Sequence, residues 1–217
     1  MTSIAAEGKA PDGWHFIDVF KRGVKQDRAI IVSRDGRLVC QPRVPGFCLA
    51  SLREFEAFTL KAEFQYAEGE VSGTPFVSVC STLPNPDGNG FKEQIPRGLE
   101  LKLHPKQLGE LTLPLPEFKV ELPLGQLRDG RKVVALRAAE LKPKEWNQLE
   151  ITVDEHKNVT FKINGTTVNA VAKVEKPTGH VIIFPQNAGL QLRNVKTVID
   201  GKETPLPFDT VVADEPN

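Results

Sequence analysis

The chain carries 28 basic and 28 acidic side chains in 217 residues, so its formal charge is zero, and electrostatics gives no reason to expect a nucleic-acid or anionic-membrane partner. Its length suits one large domain with a substantial core, and no apolar run reaches the roughly 18 residues of a membrane helix. Cys40, Cys48 and Cys80 and the four histidines fall at spacings unlike any zinc motif, which argues against a structural zinc site.

Residues 1–13 read as an N-terminal arm. The opening "MTSIAAEGKAPDGW" lacks a charged head followed by an apolar stretch. The expectation is a cytoplasmic protein, or a periplasmic or secreted one whose leader has been removed. "AIIVSRDGRLVCQ" reads as a hairpin turning at Asp35-Gly36, and "FTLKAEFQY" as a strand with Lys61, Glu63 and Gln65 on its polar face. Cys40 and Cys48 are close enough in sequence for a bridge, but three partly buried thiols is the reading preferred. "STLPNPDGNGF" has the composition of a surface loop.

In "PRGLELKLHP", Leu99, Leu101 and Leu103 alternate with Glu100, Lys102 and His104, so a strand there would put the three polar groups on one face. "LTLPLPEFKVELPLG" is too rich in proline for a central strand. "VVALRAAELKPKEW" is the best helix candidate, limited by Pro143. "WNQLEITVD" and "NVTFKINGTTVNAV" alternate cleanly, the second turning at Asn164-Gly165. Asp129-Gly130 and Asp200-Gly201 mark two further turns. The end of the chain reads as a closing strand followed by a flexible tail from 209 to 217. Many short strands, 17 prolines and 17 glycines predict one all-β domain over 14–208: a jelly-roll sandwich of two antiparallel sheets.

The segment "KPKEWNQLEITVDEHKNVTFKINGTTVNAV" and the later "GHVIIFPQNAGLQLRNVKTVI" resemble the 3-keto-disaccharide hydrolase family. "FEAFTLKAEFQY", "VSGTPFVSV" and "GLELKL" agree more loosely, so the likeness runs from about Trp14 to Ile199. The resemblance implies a concanavalin-like jelly roll and carbohydrate chemistry in a concave groove, on glycosides oxidised at carbon-3. A ketone there acidifies the hydrogen on carbon-2, so one base can start an elimination that expels the leaving group. That route needs donors or a cation for the enolate, and it leaves room for a divalent cation such as Ca²⁺.

By this resemblance Glu100 is the first choice for the base, or for a metal or sugar ligand; the plain alternative is a solvated glutamate paired with Lys102. Lys102 stands where the family usually has glutamine, and it either stabilises an enolate or silences the site. His104 is a proton-transfer candidate, or an ordinary strand-end histidine. Glu63 is a second groove carboxylate or a structural ion pair. Gln186 and Arg193 match family elements and are candidates for fixing sugar hydroxyls, with Arg193 read slightly more readily as an anchor of the last strands. Trp146 and Asn147 are read as fold markers. Trp14 and Tyr66 complete a sparse set of polar-tipped aromatics, and the Asn-x-Thr triplets at Asn158 and Asn164 carry no meaning outside a eukaryotic secretory setting. The alternative to an enzyme is a non-catalytic carbohydrate-binding or interaction module on the same fold.

Overall fold

The computed structural model describes residues 13–20, 23–33, 35–44, 46–66, 71, 73–83, 96–114, 118–142, 144–208 and 211–213. The N-terminal arm up to residue 12, most of the "STLPNPDGNGF" loop and residues 214–217 lie outside them. The strands are β1 (Trp14–Asp18), β2 (Ile30–Val32), β3 (Leu38–Cys40), β4 (Phe47–Ser51), β5 (Phe58–Tyr66), β6 (Phe76–Thr82), β7 (Arg97–Lys102) and β8 (Leu111–Thr112). They continue as β9 (Arg128–Asp129), β10 (Lys132–Val133), β11 (Asn147–Val153), β12 (Val159–Ile163), β13 (Thr166–Val171), β14 (His180–Phe184), β15 (Leu190–Ile199), β16 (Lys202–Pro205) and β17 (Val211–Ala213). A four-residue helix, Gln26–Ala29, and a 3₁₀ turn, Pro105–Gln107, interrupt them. No helix of the described residues is long and apolar enough to cross a membrane.

Two sheets result. The nine-stranded one runs β17-β1-β4-β14-β6-β7-β8-β10-β9, and the eight-stranded one runs β13-β12-β11-β5-β15-β3-β2 with β16 on β15. Their inner faces supply one core, in which Leu49, Val77, Val79, Leu99, Leu101 and Ile183 meet Leu60, Phe64, Leu149, Ile151, Phe161 and Ile163. Pairing between sequence neighbours is antiparallel; β1 and β17 pair in parallel. The last paired residues, 211–213, thus lie inside the segment read from sequence as a flexible tail.

The turn chemistry acts as expected. Asn164 and Gly165 both have positive φ, 49° and 78°, and so do Asp200 and Gly201, 51° and 75°. Two left-handed residues in succession match the twist of flanking strands, which is why these dipeptides close hairpins. The helix expected within 133–146 does not form. Lys132–Val133 pairs with β8 and β9, and the Leu136 N–H bonds to the Val168 carbonyl, so tertiary pairing overrides a weak local preference.

The sheets differ on their outer faces. In the eight-stranded sheet β5, β11 and β12 alternate buried with partly exposed or exposed side chains. In β4 and β14 of the nine-stranded sheet every residue is buried, as are the first six of β6. A second apolar cluster accounts for part of this: Val19, Cys48, Ala50, Phe76, Ile182 and Phe184 pack on the outer side, with Phe76 stacked on Phe184 at 5.0 Å.

Candidate active site on the nine-stranded sheet

Cross-strand register builds the site. Ile182 on β14 lies opposite Ser78 on β6, Ser78 opposite Glu100 on β7, Glu100 opposite Thr112 on β8, and Thr112 opposite Lys132 on β10. Directly opposed residues share a face, so this row crosses the outer side of the sheet with Glu100 at its centre. The next row sets Phe184 opposite Phe76 and Phe76 opposite Lys102.

Glu100 and Lys102 form an ion pair, Nζ to Oε2 3.0 Å, with side chains 11% and 15% exposed. The Lys102 ammonium also lies 4.6 Å from the centroid of the Phe76 ring, a cation–π contact that adds to its hold. Beside the pair, on the neighbouring strand, Ser78 and Ser81 share a hydrogen bond of 2.7 Å and are buried. Gly98 lets the strands approach here, because a Cβ on it would fall on Ser81 Oγ and lie 2.5 Å from Ser78 Oγ. Alternation in β7 revealed Glu100 and Lys102; Ser78, Gly98, Thr112 and Lys132 join them through long-range pairing that no local signal announces.

The other residues singled out in the sequence fall in three places. His104 lies beyond the end of β7 and caps the 3₁₀ turn, its Nδ1 accepting from the Lys106 N–H at 3.2 Å. Gln186 stands just past β14 in the left-handed region, and its Oε1 accepts from the Thr74 N–H at 3.3 Å. The Gln186 carbonyl lies so close to Gly73 that no Cβ fits there. Glu63 and Arg193 face out from the eight-stranded sheet. Arg193 Nε donates to Glu63 Oε2 at 2.7 Å, Asn194 Nδ2 donates to the same oxygen at 2.7 Å, and the guanidinium lies 4.2 Å from the centroid of the Trp146 ring. Glu63 and Arg193 thus belong to a different sheet from Glu100 and Lys102, and because the two sheets press their inner faces together, the outer faces look in opposite directions.

The donor set does not suit a calcium ion, which takes six to eight oxygens. Among the described residues no three His, Cys, Asp or Glu side chains converge, and Glu100 already faces an ammonium. The three cysteines are buried and free, so the Cys40–Cys48 bridge is absent. Burial pushes the Cys80 thiol up to about 12 and Cys40 higher still, which leaves both as inert packing groups.

The profile of the 3-keto-alpha-glucoside-1,2-lyase-like domain matches residues 2–198. The chain belongs to this family. No curated protein matches the sequence of this lyase-like chain significantly. Among solved structures it is similar to a putative glycosyl hydrolase from Parabacteroides distasonis, with 16% identity over 85% of this chain and 87% of that one, at a TM-score of 0.56. It is also similar to the carbohydrate binding module CBM66 from Bacillus subtilis, 12% identical over 86% and 95% of the two chains, TM-score 0.52. A β-glucanase from Bacillus licheniformis is 8% identical over 87% and 82%, TM-score 0.51. At such identities the likeness establishes the fold: this lyase-like domain is a jelly roll of the kind that glycosyl hydrolases and carbohydrate-binding modules share.

Proposed function

We propose that the protein cleaves glycosides whose sugar carries a ketone at carbon-3, at the Glu100–Lys102 pair. The observation that carries this reading is a carboxylate and an ammonium 3.0 Å apart on the outer face of β7, within a chain of this family. In the proposed reaction the Glu100 carboxylate takes the proton from carbon-2. The C2–H electron pair moves into an enolate, whose oxygen at carbon-3 is met by the Lys102 ammonium. As the ketone re-forms, the double bond shifts to carbon-1 and carbon-2 and the C1–O bond breaks, its electrons leaving with the oxygen. His104, whose Nδ1 accepts from the Lys106 N–H and leaves Nε2 as its other ring nitrogen, is the group assigned to bring a proton to that oxygen. Water then adds across the new double bond. Gln186 offers an amide to ring hydroxyls. Glu63 and Arg193, on the other sheet, take no part.

A second reading is favoured by one observation: Glu100 is only 8% exposed and already paired, as in a carbohydrate-binding module with no chemistry. One experiment separates the two. The protein is incubated with 3-keto-trehalose and the released sugar is followed. Glu100→Gln should lower the rate by about 10²-fold or more. Lys102→Gln, which installs the family's usual side chain and keeps an N–H donor without the charge, should lower the rate less than Glu100→Gln does. Turnover unchanged in Glu100→Gln removes that residue from the mechanism, and wild-type protein that binds the keto-sugar without releasing product supports the binding module.

A further inference from the structure

On the opposite side of the molecule, the outer face of the eight-stranded sheet holds a cavity of about 620 Å³. Small-molecule sites span about 300–1,000 Å³. Its floor is a row of directly opposed side chains: Lys196 on β15, Lys61 on β5, Glu150 on β11 and Lys162 on β12. An ordinary solvated sheet face sets opposite charges across from one another, because like charges in that position are destabilising. Here Lys196 faces Lys61. A single carboxylate, Glu203 from β16, reaches both, at 2.6 Å from Lys196 Nζ and 3.5 Å from Lys61 Nζ. Glu150 is engaged by Lys162 at 2.8 Å.

Three ammoniums thus face two carboxylates. Glu63, at the cavity's edge, adds no free negative charge, since Arg193 and Asn194 both donate to it. The lysine side chains stay between 36% and 40% exposed, so their ion pairs are weak and exchangeable. A bulge between Arg193 and Lys196 turns Asn194 left-handed and outward, and Gln148 lies opposite Glu63. Amides beside a cationic floor provide donors and acceptors for hydroxyls next to donors for an anion. The volume exceeds what a bare inorganic anion would fill.

We propose that this cavity is a second binding site, for a sugar bearing a carboxylate, with Lys61 and Lys196 holding the carboxylate and Gln148 and Asn194 meeting ring hydroxyls. The site does not depend on Glu100, and a uronate-containing chain held here would lie on the face opposite the proposed reaction centre.

The test is a titration of the full chain with trigalacturonate, read by NMR shifts and calorimetry, with maltotriose and inorganic phosphate as parallel probes. Trigalacturonate should bind, weaken about ten-fold or more in Lys61→Gln/Lys196→Gln, and weaken on raising the salt from 50 to 200 mM. Lys61→Arg/Lys196→Arg should retain binding, and so should Glu100→Gln. No binding to the wild-type chain overturns the proposal. So does equal binding by the double Gln variant, equal binding of maltotriose, or phosphate binding as tight as that of the uronate. None of these outcomes bears on 3-keto-sugar turnover.

Discussion

Replacing Asn147 by alanine tests how the family's Trp-Asn signature acts. Asn147 is 1% exposed at the start of β11. Its Oδ1 accepts from the Lys142 N–H at 2.8 Å and from Asn164 Nδ2 at 2.9 Å. Its Nδ2 donates to the carbonyls of Lys142 and Glu145, both at 3.1 Å. The side chain thereby ties the turn before β11 to the β12–β13 hairpin, and Asn164 extends the network to the Gln148 N–H and the Glu140 carbonyl. Four hydrogen bonds at a net 0.5–1.5 kcal/mol each would sum to about 2–6 kcal/mol. Asn164 is only partly buried and can regain water, so about 3 kcal/mol is the expected loss. In a chain of this size that lowers the melting temperature by about 6–12 °C. Thermal and urea unfolding followed by circular dichroism measure it. Asn147→Asp keeps the volume and the acceptor but turns a carboxylate oxygen toward two carbonyls, and should be no more stable than the alanine variant at neutral pH. A loss under about 1 kcal/mol for alanine, or a wild-type melting temperature for Asn147→Asp, would refute the hydrogen-bond account.

Two further substitutions probe the candidate site and the acid limb of stability. Gly98→Ala places a methyl group against Ser81 Oγ, Ser78 Oγ and the Val79 carbonyl. It should cost about 1–3 kcal/mol by overpacking and lower 3-keto-sugar turnover by displacing β7; Ser81→Ala in the same chain should recover part of the stability, and an unshifted melting temperature would disprove the close approach. Burial raises the Asp154 carboxyl, but hydrogen bonds from the Asn158 backbone and side chain and the His156 backbone outweigh it and hold the group below the ordinary carboxylate range. A depressed folded-state value contributes stability above the unfolded value of about 3.9 and loses it as the pH falls through the folded one. The stability gap between wild type and Asp154→Asn should therefore be full near neutrality and close below about pH 4; a gap independent of pH would contradict this.

Alternation exposes a strand when one of its faces is wet. β5, β11 and β12 meet that condition, and their residues could be assigned inward or outward from sequence alone. The Asn164-Gly165 and Asp200-Gly201 turns were legible for a local reason as well, since both residues of each adopt positive φ. β14, "HVIIF", is buried on both faces, so its pattern is a continuous apolar run that says nothing about sides. The stretch around Val133–Trp146 looked helical because its strand pairing is short and its partners are distant.

Glu63 and Glu100 show where reading by pattern ends. Each lies on the polar side of an alternating strand, and family likeness drew both toward one groove. Side-chain direction has a period of two and is a property of the strand itself, so the sequence by itself determined that each glutamate points outward from the core. Which sheet each belongs to depends on pairing partners, and these are remote: Glu63 meets Arg193, 130 positions along the chain, while Glu100 is set between Ser78 and Thr112. Only the tertiary structure decided that Glu100 stands with Lys102 on one side of the sandwich and Glu63 with Arg193 on the other, because strand order is fixed by packing two sheets into a common core and not by any local preference.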